Sequence, residues 1–265
     1  MSAPILETRS MTVAYGGVTA NDNVSVRVEA GSFVGLIGPN GAGKTTFIDA
    51  VSGFTTPRSG SILLKGAPID DRTPAMRARA GIARTFQSLE LFDDLPVIEN
   101  LMITAETPRW WKVFLDVIRP RASAADLKVA EEALALVGLS ECRDELPQSL
   151  SHGQRKLVGV ARALAAQPDL LLLDEPAAGL DPSEVEAFSQ QMRSLVGPDR
   201  AVLLVDHNMS LVLNACDYVY VLDFGRMLAH GTPDEVMSNP DVIAAYLGSE
   251  ADPSRPQASP ESMNS

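Results

Sequence analysis

Cysteine is scarce in this chain of 265 residues: Cys142 and Cys216 are the only two, far apart and without partner ligands at metal-binding spacing. That pattern argues against a disulfide-stapled scaffold or a cysteine-held zinc site, and leaves small buried side chains or free thiols. Positive charge is short as well, with 22 lysines and arginines against 34 aspartates and glutamates, a formal net charge of -12. On that balance broad nucleic-acid binding and electrostatic adhesion to anionic lipid are excluded. Work at a membrane would then require another protein to hold the chain there. No apolar run is long enough to span a bilayer, and Met1 to Ser10 contains no signal-peptide core. The expectation is a cytoplasmic protein. Internal repeats are missing too, and the one biased stretch, Ser249 to Ser265, is rich in Pro, Ser and Glu and expected to be disordered.

What remains has an ordinary globular composition, 45% hydrophobic and 21% charged, with ample material for a core. It is organised around Gly38 to Thr46, GPNGAGKTT, which follows the apolar run Phe33 to Ile37 and precedes a helical stretch from Phe47 to Val51. Strand, glycine-rich loop and helix stand in the order of a phosphate-binding loop, G-x-x-x-x-G-K-[ST]. Gly38, Gly41 and Gly43 open backbone conformations closed to residues with a Cβ, so successive N–H groups can turn inward around a polyphosphate. The helix starting near Lys44 adds its unpaired amides and positive dipole end. Gly38, Pro39, Asn40, Gly41, Ala42, Gly43, Lys44, Thr45 and Thr46 are therefore candidate nucleotide-binding residues. Lys44 would reach the β- and γ-phosphates and the Thr45 hydroxyl would ligate Mg²⁺.

Along the chain, Met11 to Tyr15 and the alternating Val24, Val26 and Val28 read as strands joined around Tyr15, Gly16 and Gly17. Tyr15 either stacks on an adenine base or packs at a sheet margin. Short strands are expected at Ser61 to Leu64 and Ile82 to Phe86. From there the pattern turns helical, including Ala124 to Val137 with Leu127, Ala130, Leu134 and Val137 on one face. A helical subdomain inserted at about 88–155 into an α/β core is the expectation. Within it Trp110, Trp111, Val113, Phe114, Val117 and Ile118 form a cluster that either closes the subdomain's own core or presents a partner-binding patch. A helix from Arg155 to Ala166 and the unbroken aliphatic strand Leu170 to Leu173 return to the core. Ala201 to Val205, then a terminal pair Tyr218 to Leu222 and Met227 to His230, complete the strands. A capping box, Thr232 to Glu235, opens a last helix pair running to Leu247, interrupted near Asn239-Pro240.

Chemistry gathers at strand ends. Asp174 stands where the aliphatic strand emerges, the place for a carboxylate that holds Mg²⁺, and Glu175 follows at once. Successive residues leaving a strand point in different directions, so one carboxylate can serve the metal while the next takes a proton from attacking water. Gln87 can ligate Mg²⁺ or orient water, or is a polar loop residue; His207 can donate to a γ-phosphate, or is an ordinary loop histidine. Ser151, His152, Gly153 and Gln154 make a second glycine-containing helix start, either an anion site or a simple N-cap.

The ordered set GPNGAGKTT, Gln87, LSHGQ, LLLLDEP, AGLD (Ala178 to Asp181) and His207 resembles the ATP-binding subunits of ABC transporters, with phosphate loop, Q-loop, signature, Walker B, D-loop and switch histidine in sequence. The resemblance covers nearly the whole chain, 1–248, leaving 249–265 as a tail. It implies an α/β P-loop NTPase core of the ABC type with an antiparallel β subdomain and the inserted helical one. It also implies ATP and Mg²⁺ as ligands, with Thr45, Gln87 and Asp174 at the metal and Glu175, His207 and Gln87 in catalysis. The family forms a head-to-tail dimer in which Ser151, Gly153 and Gln154 would face the ATP of a second subunit, Asp181 would touch that subunit, and Tyr15 would stack on adenine. Such a subunit sits on the inner face of the membrane through transmembrane permease subunits, a groove near Gln87 transmitting closure, and serves a periplasmic or extracellular solute-binding protein indirectly. Nucleic acid is no partner. ARTFQ (Ala83 to Gln87), Leu91-Phe92, VIENL (Val97 to Leu101) and the ending GTPDEV with NPDVIAAYLG are similar to the importer branch for branched-chain amino acids. Urea, short amides, other amino acids, or a soluble role such as iron–sulfur assembly stay open as alternatives. His152 departs from the family's usual glycine, and Asp206 from the commoner glutamate before the histidine.

Overall fold

The computed structural model describes residues 3–86, 91–105 and 124–251. β1 (Leu6–Tyr15) turns at Gly16 and Gly17 into β2 (Val18–Val24), with Tyr15 opposite Val18, and β3 (Arg27–Val28) pairs with the far end of β1. β4 (Phe33–Ile37) leaves for a second sheet and delivers the phosphate-loop sequence to α1 (Lys44–Ser52). β5 (Ser59–Leu64) and β6 (Ala67–Pro68) return to the first, antiparallel sheet, ordered β2-β1-β5-β6. α2 (Pro74–Arg79) and β7 (Ile82–Arg84) follow.

Three helices, α3 (Val97–Ala105), α4 (Ala124–Leu136) and α5 (His152–Ala165), pack on one another. The chain then alternates: β8 (Leu170–Asp174), α6 (Pro182–Met192), β9 (Ala201–Val205), α7 (Met209–Ala215), β10 (Tyr218–Asp223) and β11 (Arg226–Gly231), closed by α8 (Pro233–Met237) and α9 (Pro240–Ala251). The second sheet runs β11-β10-β4-β9-β8-β7, parallel except for β11. β4 and β8 therefore end on the same edge, which brings the phosphate loop and Asp174 together.

Side-chain alternation divides the interior in two. Leu170 and Leu172 point with Val34, Leu36 and Leu203 toward α1 and the antiparallel sheet, whereas Leu171 and Leu173 point with Phe33, Val202 and Leu204 toward the helices. A strand buried on both faces has no polar side, which is why this one reads LLLL. Leu127, Ala130, Leu134 and Val137 all belong to the helix-side core, as their spacing predicts.

Several boundaries differ from the sequence reading. Val24, Val26 and Val28 are all buried, yet they span two strands: β2 ends at Val24 after a left-handed Asn23 (φ 59°). Thr8 bridges the gap, its hydroxyl donating to Val24 O at 3.3 Å and accepting from the Val26 amide at 2.8 Å. β7 stops at Arg84 because the Thr85 hydroxyl turns to accept from the Asp174 amide at 3.2 Å. α9 continues to Ala251, past the expected helix end at Leu247. Gln87, the aromatic-rich cluster at 110–118 and most of the C-terminal tail lie outside the described residues.

One buried charge was hidden from the sequence. Arg77 is 1% exposed and donates to four backbone carbonyls, Ala50 O at 2.6 Å, Val51 O at 3.0 Å, Arg72 O at 3.0 Å and Asp70 O at 3.0 Å. Two of these lie in the last turn of α1, where Ala50 O also accepts from the Gly53 amide at 3.3 Å and a cation is favoured by the helix dipole. Replacing Arg77 by Leu should lower unfolding stability by roughly 2–4 kcal/mol, read from urea denaturation, since buried carbonyls are left without a donor.

Candidate functional site

The loop between β4 and α1 is shaped by close backbone approach. A Cβ on Gly38 would fall 2.1 Å from Leu222 O, and one on Gly43 would fall 2.4 Å from Ala20 O. Gly43 also holds φ at 96° and serves as N-cap of α1, where no described side chain supplies a cap. The first-turn amides are thus left for an anion, in the field of the helix dipole. Asn21 Nδ2 donates to Gly43 O at 3.1 Å, and Gly225 N to Ala42 O at 3.0 Å, so the β1–β2 and β10–β11 hairpins brace the loop from two sides. Pro39 and Ala42 are buried, while Asn40, Gly41 and Thr45 are exposed and Thr46 is half-buried. Lys44 is 6% exposed, its Nζ donating to Gly38 O at 2.7 Å and Pro39 O at 3.0 Å. Those neutral acceptors are ones a phosphate oxygen would outcompete.

Three carboxylates face that lysine. Burial holds the Lys44 ammonium below the usual lysine range, against the pull of Glu175, Asp206 and Asp174. Asp174, 4% exposed, accepts from Arg84 Nη2 at 2.8 Å through Oδ2. Burial raises its pKa, with the Arg84 hydrogen bond and charge pulling the other way. Its Oδ1 is buried with no hydrogen-bond partner among the described residues. An anionic oxygen in that state suits a cation or its water shell, and Mg²⁺ is commonly held by one or two carboxylates plus phosphate oxygens. Glu175 sits at φ 45°, an uncommon conformation for a residue with a Cβ, pinned by its amide donating to Val205 O at 2.7 Å. His207 Nδ1 lies 3.8 Å from Glu175 Oε1 and 3.8 Å from Asp206 Oδ1. Asp206 is fully buried and fastens the strand ends, accepting from Asn208 N at 2.9 Å and Ala177 N at 3.4 Å.

A family model described as ABC transporter matches residues 21–178. The chain belongs to the ABC transporter ATP-binding family. A second model, described as branched-chain amino acid ATP-binding cassette transporter, matches residues 226–252. The chain is 37% identical to the high-affinity branched-chain amino acid transport ATP-binding protein LivG of Escherichia coli (strain K12), over 94% of this chain and 99% of that protein. It is 36% identical to the Nod factor export ATP-binding protein I of Cupriavidus metallidurans, over 97% of this chain and 81% of that protein. The solved ADP conformation of MJ1267, an ATP-binding cassette of an ABC transporter, matches with a TM-score of 0.81 at 31% identity, over 93% of this chain and 100% of that one. As a member of this family the chain is a nucleotide-binding ATPase module of a transporter.

The other family segments stand apart from the loop. Ser151 caps α5, its hydroxyl accepting from Gln154 N at 3.2 Å while Gln154 Oε1 accepts from Ser151 N at 2.9 Å. Gln154 Nε2 also lies 3.8 Å from Cys142 Sγ, and a Cβ on Gly153 would stand 3.6 Å from Glu184 Oε1, in ordinary contact. His152 lies next to Gly179, where a Cβ would stand 3.4 Å from its Nε2. Asp181 caps α6, accepting from the amides of Ser183 and Glu184 at 2.9 Å, and the Glu184 amide does most to hold its carboxyl below the usual range. Tyr15 is 46% exposed at the β1–β2 turn, its hydroxyl 2.9 Å from Thr55 Oγ1 beyond the C-terminal end of α1. The structure thus brings Lys44, Asp174, Glu175 and His207 together, and leaves Ser151, Gln154 and Asp181 engaged in the caps of their own helices.

Sequence reasoning missed four neighbours of the site. Arg84 was visible only as part of ARTFQ. Asp49 lies on α1, its Oδ1 2.6 Å from Arg84 Nη1. Lys156 on α5 is 7% exposed, its ammonium pushed down by burial and pulled up by Asp206 and Glu175. Tyr246 of α9 has its phenol pushed up to about 12 by burial, against the pull of the Gly38 backbone. Tyr246 was visible only as part of NPDVIAAYLG, and no local pattern marks Asp49 or Lys156. Gly43→Ala should weaken ATP binding by about tenfold or more with the fold intact by circular dichroism, because about 1–3 kcal/mol of backbone strain enters the loop; an affinity equal to the parent chain would show that the loop yields.

Proposed function

We propose that the chain is the ATP-hydrolysing, energy-coupling subunit of an importer for branched-chain amino acids. The observation that carries the ATPase half is the meeting of Lys44, Asp174, Glu175 and His207 at one sheet edge. For the solute, overall identity does not discriminate, since the import and export relatives stand at 37% and 36%. The C-terminal match over 226–252 favours branched-chain amino acids over urea, amides or a soluble role.

In this reading the amides of residues 38–46 and the Lys44 ammonium bind the polyphosphate. Thr45, Asp174 and Gln87 would hold Mg²⁺, which neutralises charge on the phosphates when bound. Glu175 takes the proton from the attacking water, and His207 donates to the γ-phosphate. Its position beside Glu175 suits both tasks. Tyr15 stacks on adenine. Ser151, Gly153 and Gln154 bind the ATP of a second ATP-binding subunit, and Asp181 touches that subunit; their local caps leave them unattached to the chain's own loop.

Docking to the permease falls to a groove of about 460 Å³ between the sheet edge and α5, lined by Phe54, Pro74, Phe86, Leu91 and Ala163. Phe54 and Phe86 are 59% and 55% exposed there, as befits a surface that a partner covers. No helix among the described residues is long and apolar enough to cross a membrane. The permease therefore supplies the crossing and holds this subunit on the cytoplasmic face.

Two experiments test the proposal. Glu175→Gln should bind ATP while turnover falls about 10²–10⁴-fold, the usual contribution of a positioned base; near-normal turnover would remove Glu175 from that role. Affinity purification of the tagged chain from native membranes should bring down two hydrophobic permease subunits and a sister ATPase. Vesicles of that complex should take up leucine, isoleucine or valine on ATP addition, and soluble partners alone would overturn the import role.

A further inference from the structure

Arg84 stands at the junction of the groove and the nucleotide site, and its contacts reach into both. Its side chain is 9% exposed. Nη2 donates to Asp174 Oδ2 at 2.8 Å, and Nη1 donates to Asp49 Oδ1 at 2.6 Å and to Ser52 Oγ at 3.4 Å. Two carboxylates thus neutralise one guanidinium in a place where an unpaired charge would be costly. The guanidinium carbon also lies over two aromatic rings, 5.2 Å from the ring centre of Phe86 and 5.8 Å from that of Phe54. The two rings meet edge to face, 6.2 Å apart at 77°. Both line the groove and are more than half exposed.

These contacts form an unbroken chain from the groove to a single carboxylate. Arg84 takes one oxygen of Asp174, so the carboxylate cannot rotate without breaking a charged hydrogen bond. The other oxygen, Oδ1, is the buried one without a described partner. Arg84 in turn packs its cation against both aromatic rings. Only a guanidinium offers both the forked donors and the stacking plane, and lysine offers neither.

We propose that Arg84 is a positioning residue that orients Asp174 for the metal and makes that orientation depend on the packing of Phe54 and Phe86. A segment seated on those rings is then felt at the metal site through three side chains, without movement of the sheet. The proposal rests on the reading of Asp174 as a metal-holding residue, and the test separates the two.

The measurement is Mn²⁺ affinity in the presence of ATP, by electron paramagnetic resonance, alongside ATP affinity in EDTA. Asp174→Asn reads the metal assignment itself: unchanged Mn²⁺ affinity there would overturn that assignment and this proposal with it. Given a loss in Asp174→Asn, Arg84→Gln should weaken Mn²⁺ about 10–100-fold, the range for groups that orient a metal ligand, with ATP affinity in EDTA unchanged. Arg84→Lys should fall short of rescue. The double variant Phe54→Leu, Phe86→Leu keeps the arginine and removes only ring faces from an exposed surface, so it remains informative even if Arg84→Gln fails to fold. It should weaken Mn²⁺ about threefold, an interaction of cation–π size. Parent-like Mn²⁺ affinity in Arg84→Gln, or full rescue by Arg84→Lys, would overturn the positioning role. Parent-like affinity in the double leucine variant would overturn the link to the groove.

Discussion

Lys44 is desolvated at the end of the phosphate loop, and its charge is tolerable there because Glu175, Asp206 and Asp174 arrive at the same sheet edge. Much of the architecture serves that meeting. Parallel pairing puts the ends of β4, β8 and β9 side by side, so residues far apart in the chain share a few ångströms of space. Their strands are buried on both faces, which fixes register against a one-residue slip that would exchange the two cores. Asp206 then locks the strand ends by accepting from the backbone beyond β8 and β9.

Much of this was legible in the sequence because the informative residues are contiguous. GPNGAGKTT and LLLLDEP each carry a strand, its burial and its terminal chemistry in one stretch, and the structure places both at one edge. The helix face of Leu127, Ala130, Leu134 and Val137 was readable for the same reason, since helical period is a local property. What stayed hidden is non-local. Arg84 and Asp174 are 90 positions apart and nothing near either announces the pair. Arg77 looks like a solvated helix arginine until α2 is folded against the end of α1. The split of β2 from β3 was concealed because both halves bury their valines, so the period continues across the break.

The segments that resemble signature and D-loop show a different economy. Ser151 with Gln154 and Asp181 with Glu184 both form reciprocal capping boxes. The side chains proposed to meet a second subunit are therefore ordered before it arrives, and little conformational entropy is lost on contact. His152 lies beside Gly179, where a Cβ would stand 3.4 Å from its Nε2, an ordinary contact distance. An imidazole in place of glycine is accommodated by the neighbouring turn.

The phosphate loop leans on the far end of the chain. Leu222 O occupies the space beside Gly38, Gly225 donates to Ala42, and Tyr246 lies against the Gly38 backbone. During synthesis the nucleotide-binding sequence leaves the ribosome long before these supports exist, and domains fold as units once their parts are present. A nascent chain would thus hold an unbraced loop until the β10–β11 hairpin has emerged, which defers ATP capture until the whole cassette is able to fold around it.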